Sequence, residues 1–236
     1  MKKIGLIGGI GPESTLDYYR LIIRAFQERK SADYPEILVY SANLTELLRL
    51  MEEKRWAELT EWLLHKIEAL RKAGAEFAAI GSNSPHVVFD AVKPRSPLPL
   101  VSIVEAACNR AQELGVKRLG LMSTAFTMQA DFFQKPFLAK GMSVVVPELD
   151  DQKLIHRRLF TEIELGIIKD STRQELLAVA KRMIGRHRIE ALILGCTELP
   201  LILMKDEFGI PFLNTTAIHA EAMVLCSLGF QAGFSR

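Results

Sequence analysis

The strongest constraint on the fold is an internal repeat. Lys2-Lys3-Ile4-Gly5-Leu6-Ile7 matches Lys117-Arg118-Leu119-Gly120-Leu121-Met122 at an offset of 115 residues. Ala75-Glu76-Phe77-Ala78-Ala79-Ile80-Gly81-Ser82 matches Ile189-Glu190-Ala191-Leu192-Ile193-Leu194-Gly195-Cys196 at an offset of 114. Buried strands are all rich in Val, Ile, Leu and Ala, so one such match is weak. Two matches whose offsets agree to within a residue imply a duplicated unit.

Between these segments, short β-rich runs alternate with longer stretches of helical periodicity, the grammar of parallel sheets flanked by helices. The spacing predicts strands at 4–7, 36–41, 76–80, 118–122, 143–146, 190–194 and 211–213. It predicts helices from Ser14 to Arg29 and over 45–73, 102–114, 152–165, 171–185 and 216–228. The expected architecture is therefore α/β: two pseudo-symmetric lobes, each a mainly parallel sheet flanked by helices, with the active site in the cleft between them. The expected boundaries are 1–102 with 215–236 for one lobe and 103–214 for the other.

Composition narrows the function classes. The formal net charge is +2 and the basic residues are spread along helical stretches such as 49–55 and 181–188, so no nucleic-acid groove is expected. No run of about 18 uncharged apolar residues occurs, and residues 1–10 lack the features of a signal peptide, so the expectation is a cytoplasmic protein without membrane association. The cysteines, Cys108, Cys196 and Cys226, are too few and too far apart for a disulfide framework or paired zinc site. His65, His156 and His187 sit in charged helical surroundings far from the cysteines, so no metal is expected.

The loops after the repeated strands carry the candidate chemistry, because ligands of such sheets bind beyond the carboxyl ends of the strands. Gly81-Ser82-Asn83-Ser84-Pro85-His86 and Gly195-Cys196-Thr197-Glu198-Leu199-Pro200 each offer a nucleophile or base, Ser82 or Cys196. Hydrogen-bonding side chains follow at Asn83, Ser84 and Thr197, with a carboxylate at Glu198. Ser, Thr and Asn also cap helices wherever a strand turns into one, and His86 fits a packing or capping place. Gly8-Gly9-Ile10-Gly11-Pro12-Glu13-Ser14-Thr15 has Ser14 at the third glycine position of a dinucleotide loop, and no acidic residue closes the 36–41 strand. The loop instead predicts carboxylate binding by N–H groups around Gly9 and Gly11 at a helix start. Ser123-Thr124-Ala125-Phe126-Thr127 is its counterpart in the second half.

Taken together, the Gly-Gly-Ile-Gly-Pro-Glu-Ser-Thr opening, the Ser-Asn-Ser-Pro-His and Gly-Cys-Thr-Glu loops, and Asn-Thr-Thr-Ala-Ile-His at 214–219 resemble the aspartate/glutamate racemase family over essentially the whole chain. The resemblance implies a cofactor-independent enzyme in which a pair of cysteines removes and returns an α-proton. Carried onto this sequence, the second cysteine is Cys196 and the first falls at Ser82. Asn83, Ser84, Thr124, Thr127 and Thr197 fall where the family holds substrate carboxylates and the amino group. Lys169 falls near a lysine of some aspartate racemases, and equally suits a solvated place near a helix end.

The sequence departs from the family pattern at Ser82, at Asn214, where an aspartate is common, and at Asn43-Leu44-Thr45-Glu46, which lacks an arginine found in some members. A thiol can be tuned toward neutral pH, whereas a serine needs a neighbouring base such as His86 or a water relay. The leading expectation is a racemase of aspartate or glutamate. A related isomerase or lyase on a small dicarboxylate, or a silent amino-acid-binding protein, are the alternatives. A homodimer is the expected assembly.

Overall fold

The computed structural model describes residues 1–29 and 33–230. The chain divides into two compact units, Met1–Ala106 with Thr216–Arg236, and Ala107–Thr215.

In the first unit, β1 (Ile4–Gly8) leads through α1 (Pro12–Glu28) to β2 (Ile37–Ser41). The chain returns through α2 (Leu44–Glu52) and α3 (Trp56–Lys72) to β3 (Phe77–Ile80). A helical passage follows, formed by 3-10 turns at Ser84–Val88 and Lys93–Arg95 on either side of α4 (Phe89–Val92). Next come β4 (Leu100–Val101) and α5 (Ile103–Glu113). The second unit contains β5 (Arg118–Met122), α6 (Ala125–Gln129), α7 (Gln134–Ala139) and β6 (Ser143–Val145). It continues with α8 (Leu149–Thr161), a 3-10 turn at Ile163–Leu165, α9 (Asp170–His187) and β7 (Ala191–Leu194). A 3-10 turn at Leu199–Leu201 and β8 (Phe212–Asn214) complete it, and α10 (Thr215–Ser227) returns the chain to the first unit.

Both sheets are parallel, ordered β2-β1-β3-β4 and β6-β5-β7-β8. The repeat extends to single hydrogen bonds. Gly81 N donates to Ile7 O at 2.9 Å as Gly195 N does to Met122 O at 2.8 Å, and Ala78 N donates to Pro99 O as Leu192 N does to Pro211 O, both at 2.9 Å. Glu76 turns its carboxylate onto the Lys3 N–H, and Glu190 does the same with Arg118 N. β1, β3 and β7 are buried along their whole length, as strands covered on both faces must be. Helices α1 and α10 cover one face of the first sheet, where Tyr18, Ile22, Phe26, Met223 and Val224 pack on Ile4, Leu6 and Phe77.

In each sheet the chain leaves the first strand to one side and comes back on the other. The point where strand order reverses therefore lies between the carboxyl ends of β1 and β3, and of β5 and β7. The loops after these four strands are the ones bearing the candidate residues.

The structure corrects several sequence expectations. The helix expected over 45–73 is two helices, because Lys54 takes a left-handed conformation with φ 54°. Arg55 N then donates to Leu50 O at 2.8 Å and Lys54 N to Met51 O at 3.1 Å, which closes α2. Glycine usually marks such a stop, and none is present. The 152–165 helix ends at Thr161 and tightens into the 3-10 turn before Gly166. The sequence reading also missed β4, α6, α7 and the helical passage at 84–95, all of which are short.

Candidate active site

Cys196 follows β7 directly and is buried, with 7% of its surface exposed. Its thiol donates to Glu198 Oε2 at 3.0 Å, and Thr197 Oγ1 donates to the same oxygen at 2.9 Å. Burial, followed by the neighbouring Glu198 carboxylate, pushes the Cys196 thiol well above its ordinary range. The expectation of a thiol poised between its two forms near neutrality is thus corrected: in the resting site the thiol is protonated, with its proton aimed at a carboxylate. Glu198, expected to meet substrate, accepts from Cys196 and Thr197 through Oε2. Its other oxygen, Oε1, is buried without a hydrogen-bond partner.

The end of β7 and its loop are held by hydroxyl groups that follow the neighbouring strands β5 and β8. Ser123 Oγ donates to Gly195 O at 2.6 Å, and Thr215 Oγ1 donates to Leu194 O at 2.7 Å. A Cβ on Gly195 would lie 2.5 Å from Leu121 Cδ1, so a larger residue there would displace the Leu121 side chain. Thr124 caps α6 by accepting from Thr127 N at 3.3 Å, and its hydroxyl lies 3.2 Å from that of Thr127. The two threonines are thus brought together after β5, as Cys196, Thr197 and Glu198 are after β7.

A residue the sequence reading missed completes this cluster. Glu164, in the 3-10 turn after α8, offers a carboxylate oxygen that lies, with atoms of Cys196 and Glu198, in a group whose members are all within 4.8 Å of one another. Burial and the Glu198 charge raise the Glu164 carboxyl to about 7. Glu164 stands 32 residues before Cys196 in an ordinary helical run, so no spacing signal could have found it. Lys169, by contrast, pairs with Glu162 at 3.2 Å and is half exposed, and Glu162 also binds Arg158 and Thr172. It belongs to that ion-pair network.

In the first unit, Ser82 follows β3 and is half buried, next to buried Asn83 and to Ser84, which opens a 3-10 turn. His86 does not serve Ser82 as a base. Its Nδ1 meets the main-chain carbonyl of Ser82 at 3.0 Å, its ring stacks on Phe89 at 4.8 Å, and its Nε2 is buried without a partner. Burial and nearby His219 lower the His86 pKa to about 3. His219 donates Nε2–H to Val101 O at 3.0 Å and accepts from Tyr18 OH at 2.7 Å, which makes it a packing residue.

The loop after β1 also differs from expectation. Gly9 N donates to Thr15 Oγ1 at 2.9 Å, so this N–H is already satisfied. Gly9 is required for another reason: φ is +78° and a Cβ would meet Ala42 O at 2.5 Å. Gly11 is the N-cap of α1 and its carbonyl accepts from the Ser14 and Thr15 hydroxyls. Asn43 caps α2, accepting from Thr45 N and Glu46 N, which gives this departure from the family a structural role.

Comparison with known proteins agrees with this architecture. The family model for Asp/Glu/Hydantoin racemase matches residues 7–223. The broad specificity amino-acid racemase RacX of Bacillus subtilis is 24% identical over 234 residues, 97% of this chain and 100% of that protein. An aspartate racemase homologue from Pyrococcus horikoshii is similar in structure with a TM-score of 0.83 at 35% identity, covering 97% of this chain and 100% of the other. A candidate Asp/Glu racemase from Yersinia pestis gives 0.86 at 30%, with the same coverage. The chain belongs to the Asp/Glu/Hydantoin racemase family. By class it is an isomerase, an amino-acid racemase.

Proposed function

We propose that this racemase interconverts the enantiomers of aspartate or glutamate without a cofactor, with Cys196 as the group that exchanges the α-proton. The observation that carries the reading is the Cys196–Glu198 hydrogen bond at the end of a buried strand. Transfer of the thiol proton to Glu198 breaks S–H, forms O–H and leaves a thiolate. The thiolate can then take the α-proton of an amino acid and later return it. Positioned acid/base groups of this kind contribute about 10²–10⁴-fold to rate. Within the second unit, Thr124, Thr127 and Thr197 offer hydroxyl groups to an acidic substrate; in the first unit, Asn83 and Ser84 offer an amide and a hydroxyl after β3.

Ser82 stands where the repeat would place a second acid/base, and the His86 ring meets its main-chain carbonyl instead of its hydroxyl. That observation favours a second reading within the class, in which protonation through Ser82 or water is slow and α-proton exchange outruns inversion. Chiral chromatography of each enantiomer of aspartate and glutamate after incubation tests the assignment. Inversion by the wild type, with a loss of about 10³-fold or more in Cys196→Ala, is expected; inversion of neither amino acid by the wild type refutes the substrate assignment.

No helix among the described residues is long and apolar enough to cross a membrane. We place the enzyme in the cytoplasm, which agrees with three buried free cysteines. We also assign it as a homodimer, the commonest closed assembly. Exposed Tyr34 and Val39, on and beside edge strand β2, support that assignment.

A further inference from the structure

Glu164 and Glu198 are two carboxyl groups beside one thiol, and among the described residues neither forms an ion pair. From α8, Arg158 is turned to Glu162 and Glu175, while His156 Nδ1 accepts from Ala125 N at 3.5 Å. At the start of α9, Lys169 is bound to Glu162. From the loop after β7 come Cys196, Thr197 and Glu198, whose hydrogen bonds occupy Glu198 Oε2 and leave Oε1 buried and unpartnered. Burial, followed by the neighbouring Glu198 charge, opposes ionisation of Glu164, so its carboxyl holds its proton up to about pH 7.

We propose that Glu164 is a positioning residue for racemisation: paired with Glu198, it retains one proton beside Cys196 and so fixes the pH range in which the thiol can pass its own proton to Glu198. The inference rests on the racemase reading. While Glu164 is protonated, the site carries one negative charge, and ionising Cys196 moves a proton from sulfur to Glu198 Oε2 without adding charge. Once Glu164 loses its proton, a second negative charge stands by the sulfur and opposes the thiolate. Glu164 acts through this field and touches no reacting atom.

The test is the pH dependence of iodoacetamide labelling of Cys196, read by peptide mass so that Cys108 and Cys226 are counted apart, in the folded wild type, Glu164→Gln and Glu164→Asp. Glutamine mimics the protonated carboxyl at every pH, so the labelling midpoint falls by about one pH unit. The alkaline loss of kcat that ionisation of Glu164 causes is abolished in Glu164→Gln, while KM stays near the wild-type value. Aspartate, which keeps the ionisable group, restores a profile close to wild type. An unchanged labelling midpoint in Glu164→Gln, with its melting transition intact, overturns the proposal. A shifted midpoint in a protein that leaves aspartate and glutamate untouched keeps the carboxyl pair and overturns the substrate assignment instead.

Discussion

At the scale of single residues, the two equivalent loops have diverged in chemistry while keeping the glycine N–H bond that ends each strand. Cys196 has a carboxylate at 3.0 Å to take its proton; Ser82 has a histidine four residues on whose ring is committed to a main-chain carbonyl and to Phe89. A thiol ionises many orders of magnitude more readily than a serine hydroxyl. Ser82→Cys is therefore expected to speed inversion by about tenfold or more while changing α-proton exchange less, as read by comparing chirality with deuterium uptake. An unchanged ratio of exchange to inversion would show that the serine is not the slow side. Cys196 and its carboxylate neighbour were legible in the sequence because Gly-Cys-Thr-Glu is contiguous. Glu164 was not, because it reaches the thiol through space from another element. The tautomer and commitment of His86 were equally hidden, since they depend on what its ring packs against.

At the scale of elements, the strands of the repeat were legible because buried parallel strands are uninterrupted apolar runs. The helices were legible wherever their ends carry ordinary signals. Pro12 opens α1, and Gly74 follows α3 with φ +101°. The break after α2 was illegible because Lys54 occupies a left-handed position that sequence rules reserve for glycine. Lys54 is exposed, and Lys54→Gly should relieve about 1 kcal/mol of backbone strain and raise the melting midpoint by about 2 °C, measured by calorimetry. The Cys196 loop depends on Ser123, whose buried hydroxyl holds Gly195 O at 2.6 Å. Ser123→Ala leaves that carbonyl unpaired, at a cost of about 1–3 kcal/mol in denaturant unfolding. It should also slow turnover more than it weakens binding, because the thiol is displaced.

At the scale of the whole molecule, burial of neutral histidines couples stability to pH. His86 and His219 titrate near 3 and 4 in the folded protein and near 6.5 when unfolded. The unfolded chain therefore binds more protons below about pH 6.5, so the stability they contribute is complete above that pH. It falls by about 1.4 kcal/mol per pH unit per histidine down to about pH 4. Glu164, half buried and raised to about 7, acts with less weight in the opposite direction. Urea midpoints should drop between pH 6.5 and 5, and a drop halved in His86→Phe would assign the effect. Duplication of one α/β unit explains how a chain of this length carries equivalent loops at two sheet ends, each open to its own substitutions. The central claim, that Cys196 moves the α-proton of an acidic amino acid, is tested most directly by proton NMR in deuterium oxide on wild type and Cys196→Ala with each enantiomer of aspartate and glutamate. Loss of the α-proton signal with the wild type and its persistence with the variant is the predicted result; equal loss with both proteins would contradict the account.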